Sequence, residues 1–416
     1  MAKRAIVIGA GLSGLSAAVA LTQRGVAVEL VEGAAHAGGR CRSYHDPQLG
    51  QTIDNGNHLV LSGNAAVARF RKTIGASEPL AGPAHADFAF ADLASGERWT
   101  IGINDGPLPW WIFSEKRRVP GSRAADYLPL AKLLGRGEGK VGDRIKTVGP
   151  VWDRLLEPVL LATLNTPVAE SSTALTGAVL RETIARGGRA MCPRIAEPTL
   201  SAAFIDPALA WLESHKAITR FGRRLSAMIF DGDRLAGLDF GGDVCPVTDD
   251  MAVVLAVPAW VAATLVADLV VPDDHRAIVN GHFAIAPPAG APQMLGLIGG
   301  SAEWLFSFPD RLSVTVSAAE HLVGKDREEL ARIFWADIQA ALDLDAPMPR
   351  WQIVKEKRAT FAATPAQNRR RPTAATRWRN LFLAGDWTAT GLPATIEGAL
   401  RSGETAAGLA TGAALR

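Results

Sequence analysis

The first residues with legible chemistry are the glycines of Gly9-Ala10-Gly11-Leu12-Ser13-Gly14, which follow the apolar run Ala5 to Ile8 and open an alanine-rich stretch of helical spacing. In a strand-turn-helix of this kind Gly9 permits the tight turn, Gly11 lets backbone N–H groups approach a pyrophosphate with no Cβ in the way, and Gly14 allows the helix to pack on the strand. The positive helix end, at Leu12 and Ser13, then faces the phosphates. Glu32 ends a second β-branched run, Val26 to Val31, about 20 residues further on, where a carboxylate takes ribose hydroxyls and disfavours a 2′-phosphate. The whole reads as one βαβ unit built to hold a dinucleotide.

Two further segments say which dinucleotide. Gly38-Gly39-Arg40 is a second backbone-approach site with a guanidinium beside it, suited to a long cofactor carrying two phosphates. Near the C-terminus, Asn380 to Trp387 reads as a strand ending in Gly385-Asp386, with Asp386 positioned for a ribityl hydroxyl. Leu392-Pro393-Ala394-Thr395 then leads into a last helix whose N-terminus aims positive charge at the pyrimidine edge of a flavin. A nicotinamide enzyme needs neither segment, so the expected cofactor is FAD. No metal is expected: Cys41, Cys192 and Cys245 are widely spaced and odd in number, which suggests neither a zinc motif nor a disulfide framework and fits a reducing cytoplasm.

These motifs need elements to carry them, and 416 residues exceed what one core usually supports. The spacing predicts helices over Leu15 to Gln23, around Trp152, Leu155, Leu156, Val159 and Leu160, over Asp326 to Leu342 and over Thr395 to Thr411. Strands are expected at Met251 to Val257, Arg311 to Ser317 and Leu381 to Ala384. A hairpin is expected from Leu225 to Phe240, with Leu225 counted among the cofactor-binding positions. Prolines 79, 83, 107, 109 and 120 mark an irregular region beyond Gly75. The expected fold class is α/β plus α+β: a two-domain FAD-dependent oxidoreductase with a Rossmann-like FAD-binding domain (1–75, 200–275 and 350–416) and an inserted substrate-binding domain (76–199 and 276–349). Lys3 and Arg4 before an apolar stretch imitate a signal peptide, but the glycines that follow argue against one. Met251 to Val271 is nearly long enough to span a bilayer, yet Pro258 splits it and Asp268 sits near its end, so a buried strand and a packed helix are expected. With 44 basic residues against 42 acidic ones the chain has no footprint for a polyanion, which excludes nucleic acid as an expected partner.

At these residues the chain resembles the flavin-dependent amine oxidase and carotenoid desaturase superfamily. More narrowly, Asp54-Asn55-Gly56-Asn57-His58, Leu108-Pro109-Trp110-Trp111, Ala162 to Pro167 and Ala359 to Pro365 resemble the hydroxysqualene dehydroxylases of hopanoid biosynthesis, and these segments span nearly the whole chain. One departure is visible: Ala34-Ala35-His36-Ala37 stands where many superfamily members carry an arginine, which leaves His36, Arg42 or water to make that phosphate contact. The resemblance implies reduction of hydroxysqualene to squalene, with loss of water and oxidation of FADH2. It implies a long isoprenoid as the bound partner, together with squalene-pathway enzymes and an electron donor that the residues do not name.

Such a reaction protonates an allylic hydroxyl and shields the resulting cation from water. Gly56, Asn57 and His58 belong to a turn that resembles the superfamily's segment against the flavin ring. His58 is the first-choice acid, since its unperturbed pKa of about 6.5 suits donation and reprotonation; the other reading is a histidine that only hydrogen-bonds backbone or flavin. Asp54 reads better as a brace for the turn. Glu356 is the second-choice acid, although a run such as Lys355-Glu356-Lys357-Arg358 more often forms a solvated face. Trp110, Trp111 and Phe113, followed by Lys116, Arg117 and Arg118, read either as a membrane dock or as an aromatic pocket lid, and Phe361 joins them as a substrate-access position. The location that follows is cytoplasmic, with peripheral contact on the inner face of the membrane. Two rival functions stay open: a carotenoid or polyprenoid desaturase running hydride the other way, and a non-catalytic flavoprotein scaffold. An amine oxidase is disfavoured, because only Tyr44 and Tyr127 are available for an aromatic cage.

Overall fold

Strand Arg4–Ile8, helix Leu12–Gln23 and strand Ala27–Val31 follow one another as the N-terminal spacing predicts. The computed structural model describes residues 2–135 and 137–412. Five parallel strands form the sheet around them, in the order Ile218–Arg220, Ala27–Val31, Arg4–Ile8, Met251–Leu255 and Leu381–Leu383. The central strands are buried on both faces, which explains their unbroken apolar character. The first helix packs against the last, Ile396–Ala410, and Gly403 makes this possible, since a Cβ there would lie 2.3 Å from the Ser13 carbonyl oxygen. Ser16 Oγ donates to Leu400 O across the same seam at 2.8 Å. Met251 to Val271 divides as expected into the buried strand and the helix Ala259–Leu265. No helix among the described residues is long and apolar enough to cross a membrane.

A second sheet of seven strands runs Trp351–Phe361, His275–Phe283, Arg311–Val316, Trp304–Phe308, Met294–Ile298, Ala86–Asp92, Arg98–Ile103. All its pairings are antiparallel except Met294–Ile298 with Ala86–Asp92. Helix Arg327–Leu342 covers it with Leu330, Phe334 and Ile338, all fully buried. Asp326 caps that helix, accepting from the Glu328 and Glu329 amides.

Sheet membership corrects the sequence reading in two places. Strand Trp351–Phe361 pairs with His275–Phe283, so the boundary set at residue 350 falls at the head of a strand of the seven-stranded sheet. Its charged middle disguised it, although Ile353, Ala359 and Phe361 are buried. The region beyond Gly75 is also less irregular than its prolines suggest, because Ala86–Asp92 and Arg98–Ile103 form a regular antiparallel pair before the chain enters the 3-10 segments Trp110–Phe113 and Ala124–Leu133.

Candidate active site

The glycine loop has the geometry its residue types require. Gly9 sits at φ +104, and a Cβ there would lie 2.5 Å from the Ala256 oxygen; a Cβ on Gly14 would lie 1.8 Å from the Gly9 oxygen. Neither position tolerates a side chain. At Gly11 the opposite holds: nothing lies within 4 Å of an added Cβ, and no side chain caps the N-terminus of helix Leu12–Gln23. An open glycine at a bare helix N-terminus is a cradle for phosphate, so the residues present fit a dinucleotide. Gly38 joins this surface by donating its N–H to Ala10 O at 2.8 Å. Glu32 accepts from the Ala10 and Ala34 amides at 2.7 and 2.9 Å, which braces the loop and leaves each carboxylate oxygen a further lone pair for a ribose hydroxyl. His36 is exposed, and Arg42 Nη1 is engaged with Gly39 O at 2.9 Å. Leu225 is buried in the same apolar cluster as Ile8 and Val31.

The two ends of the chain meet through an ion pair. Arg40 Nη2 lies 2.7 Å from Asp386 Oδ1, and Arg40 Nη1 donates to Ala359 O on the seven-stranded sheet. Arg371 holds the same loop from its other side, donating from Nη2 to Asp386 O at 3.1 Å and to Thr390 Oγ1 at 2.8 Å. Its guanidinium lies over the Phe361 ring, 4.8 Å from the centroid. Burial draws the Arg371 pKa down to about 10, so the group stays charged at neutral pH. The loop is further pinned by Gly385 N–H to Ser402 Oγ and by Trp387 Nε1 to Val257 O, both 2.9 Å. Leu392 and Pro393 are buried, Ala394 is half-buried, and Thr395 caps the last helix by accepting from Gly398 N–H at 3.0 Å.

The turn Asp54 to His58 is docked on the seven-stranded sheet. Asn57 Nδ2 donates to Thr315 Oγ1 at 3.0 Å, and Thr315 donates on to Asn280 Oδ1 at 2.8 Å. Asn57 Oδ1 and Asn280 Nδ2 are buried with no hydrogen-bond partner among the described residues. Asp54 Oδ1 accepts from Ser43 Oγ at 2.5 Å and Leu200 N–H at 2.9 Å, so this carboxyl braces the turn, and burial pushes its pKa up. His58 is fixed by Nδ1–H to Gly56 O at 2.9 Å, while Nε2 faces the Cys41 thiol at 3.8 Å. Burial lowers the His58 pKa and pushes Cys41 to about 12, so the resting pair is a neutral imidazole beside a protonated thiol. Glu356 is half-buried rather than on a solvated face; Asn55 Nδ2 donates to its Oε2 at 3.2 Å, and among the described residues its Oε1 makes no hydrogen bond.

The three neighbouring aromatics separate. Trp111 is 2% exposed and packs edge-on against Tyr127, 5.1 Å between ring centroids, so it belongs to the core and not to any access surface. Trp110 and Phe113 point outward, each 64% exposed. Phe361 is buried beneath Arg371. Cys41, Asn280, Thr315 and Arg371 were absent from the sequence-derived site. Of these only Cys41 carried a signal, as the neighbour of Gly39-Arg40.

A parallel sheet bearing paired glycine segments and a C-terminal Gly-Asp loop, joined to an antiparallel sheet, defines a two-domain FAD-dependent oxidoreductase. The chain belongs to the flavin containing amine oxidoreductase family, which it matches over residues 12–410. It is 49% identical over 405 residues to a hydroxysqualene dehydroxylase of Zymomonas mobilis (97% of this chain, 98% of the relative). It is 51% identical over 411 residues to one of Rhodopseudomonas palustris (98% of each). Among solved structures, an oxidoreductase from Methanosarcina mazei superposes with a TM-score of 0.72 at 16% identity, covering 96% of this chain and 98% of that one, a likeness of fold.

Proposed function

We propose that this enzyme reduces hydroxysqualene to squalene. The observation that carries the reading is identity of about half, over nearly the full length of both chains, to relatives bearing that activity in their names. When bound in its reduced form, FAD supplies the hydride. The substrate's hydroxyl takes a proton and leaves as water, and a C–H bond replaces the C–O bond, so the carbon chain gains two electrons.

Gly11, Gly38 and Arg40 hold the pyrophosphate side of the cofactor, Glu32 its ribose, and Asp386 with the Ile396–Ala410 helix N-terminus its flavin end. We assign proton delivery to Glu356, reversing the order expected from the sequence. Both ring nitrogens of His58 are engaged within the protein and both the Ser43 and Leu200 donors converge on Asp54, whereas Glu356 Oε1 makes no hydrogen bond among the described residues. His58 then positions the Asn55-Gly56-Asn57 turn. Because so apolar a substrate resides in lipid, the protein works in the cytoplasm, against the inner face of the membrane. The deciding experiment is anaerobic mixing of photoreduced enzyme with hydroxysqualene. Flavin reoxidation with squalene in the product mass spectrum is expected; no reoxidation would overturn the proposal and favour hydride removal from the substrate.

A further inference from the structure

We infer that the two 3-10 segments Trp110–Phe113 and Ala124–Leu133, with the loops beside them, form a docking face for anionic phospholipid bilayers. Twelve large apolar side chains are exposed among the described residues, and six of them, Leu108, Trp110, Phe113, Leu128, Leu134 and Val148, fall between residues 108 and 148. Single exposed apolar residues are ordinary, but half of them concentrated in a tenth of the chain calls for an occupant.

The aromatics are held out on a firm base. In a 3-10 turn residues i and i+3 share a face, so Trp110 and Phe113 stand together, 6.2 Å between ring centroids, while Trp111 and Ile112 turn inward and are buried. Trp111 packs on Tyr127, whose hydroxyl accepts the Val119 N–H at 2.9 Å, and this ties the first segment to the second.

Charge selects the occupant. Residues 105–146 carry nine Lys and Arg against five Asp and Glu, whereas the chain as a whole has 44 against 42. The rest of the molecule is therefore slightly acidic. Lys116, Arg117, Arg123 and Lys132 are exposed, and none makes a salt bridge among the described residues, in contrast to Arg118, which pairs with Glu115. Outward aromatics rimmed by free cations suit a bilayer with anionic headgroups, since burial of apolar rings and attraction to lipid charge supply the two signals that stable peripheral binding needs.

The face also leads toward the active site. Arg181 Nη1, on helix Thr173–Glu182, holds Leu134 O and Gly135 O at 2.8 and 2.9 Å. At the other end of that helix the Ser172 amide donates to Ala363 O at 2.7 Å, two residues beyond Phe361. One helix thus separates the docking face from the strand that carries Glu356. The lipid cargo rests on the functional reading above; the docking face rests on exposure and charge.

The test is co-sedimentation of the flavin-loaded protein with phosphatidylcholine vesicles, with and without about one third phosphatidylglycerol. Stronger binding to the anionic vesicles is expected, weakening steeply from about 0.1 M to about 1 M salt. Trp110→Ser/Phe113→Ser and, separately, Lys116→Gln/Arg117→Gln should each weaken it at least tenfold with flavin content and melting temperature unchanged. No vesicle binding, or binding unaltered in both variants, overturns the inference. So does a wild-type dimer in solution that the aromatic variant abolishes, which would assign the face to a second copy. Turnover of detergent-dispersed hydroxysqualene is measured in parallel: turnover without vesicle binding refutes the docking face alone, and vesicle binding without turnover refutes the functional reading alone.

Discussion

Replacing His282 with glutamine should remove one acid-sensitive contribution to stability, of a size the structure lets us work out. His282 is fully buried on strand His275–Phe283, with Nδ1 2.7 Å from Ser313 Oγ and Nε2 without a partner. Burial, reinforced by nearby Arg311, lowers its pKa from 6.5 to about 3. Below its ordinary value the unfolded chain therefore takes up a proton that the folded chain refuses until about pH 3. This contribution is complete above the unfolded pKa and is lost as pH falls toward the folded one. Between about pH 7 and about pH 5 the loss comes to about 2 kcal/mol, at roughly 1.4 kcal/mol per unit below the unfolded pKa. Glu303 acts in the other direction, since burial raises its pKa from 4.5 to about 7 and its contribution falls as pH rises through that window. The wild-type profile sums both, so only the comparison with the variant isolates the histidine. Urea unfolding of flavin-loaded wild type and His282→Gln at both pH values should show the wild type losing about 2 kcal/mol more than the variant on acidification. Equal losses in the two proteins would refute a neutral buried His282.

Three further outcomes follow from the site. Gly14→Ala places a Cβ 1.8 Å from the Gly9 oxygen, so the variant should purify with less than a tenth of the wild-type flavin absorbance per mole; normal occupancy would contradict the cradle geometry. In the Arg40–Asp386 pair the arginine side chain is 40% exposed and the aspartate 8%, so Arg40→Met, which strands a buried carboxylate, should weaken FAD binding by more than the roughly tenfold expected of Asp386→Asn, and fluorescence titration of apoprotein would show whether that order holds. Glu356→Gln should lower single-turnover rates by about 100-fold or more while FAD stays bound, whereas His58→Gln should stay within about tenfold of wild type; the reverse ranking would return the proton to His58.

What was legible in the sequence depended on how local each physical demand was. The glycine loop could be read because a tight turn, a backbone approach and a helix packed on a strand lie within six residues and each demands glycine. The ion pair that closes the same site was not readable, because Arg40 and Asp386 are 346 residues apart and neither type specifies the other. Strand His275–Phe283 was hidden by its own contents. Asn280-Gly281 imitates a turn, yet Gly281 is there because a Cβ would lie 3.0 Å from Phe334 of the covering helix, and Asn280 is there to meet Thr315. Arg371, last of three consecutive arginines, reads as solvated surface, although it is 7% exposed and surrounded by carbonyl and hydroxyl oxygens. In Trp110-Trp111 adjacency suggested one aromatic unit, and the 3-10 turn sends the two rings to opposite sides.

These long-range ties change how the site is held. Arg40 touches the Ala359 carbonyl on the seven-stranded sheet and the Asp386 carboxylate on the loop after the parallel one, while Asn55 reaches from the turn that follows strand Gln51–Asp54 to Glu356. One guanidinium, on a side chain that is 40% exposed, therefore ties the Gly385-Asp386 loop to the strand that carries the proposed proton donor. On the proposed reading, phosphates seated against Gly11 and Gly38 would lie near Arg40, the residue that holds the strand carrying Glu356. Binding of FAD and placement of the proposed acid would then be linked through Arg40, and an enzyme that must keep an allylic cation from water gains most from assembling its acid only when the hydride source is in place.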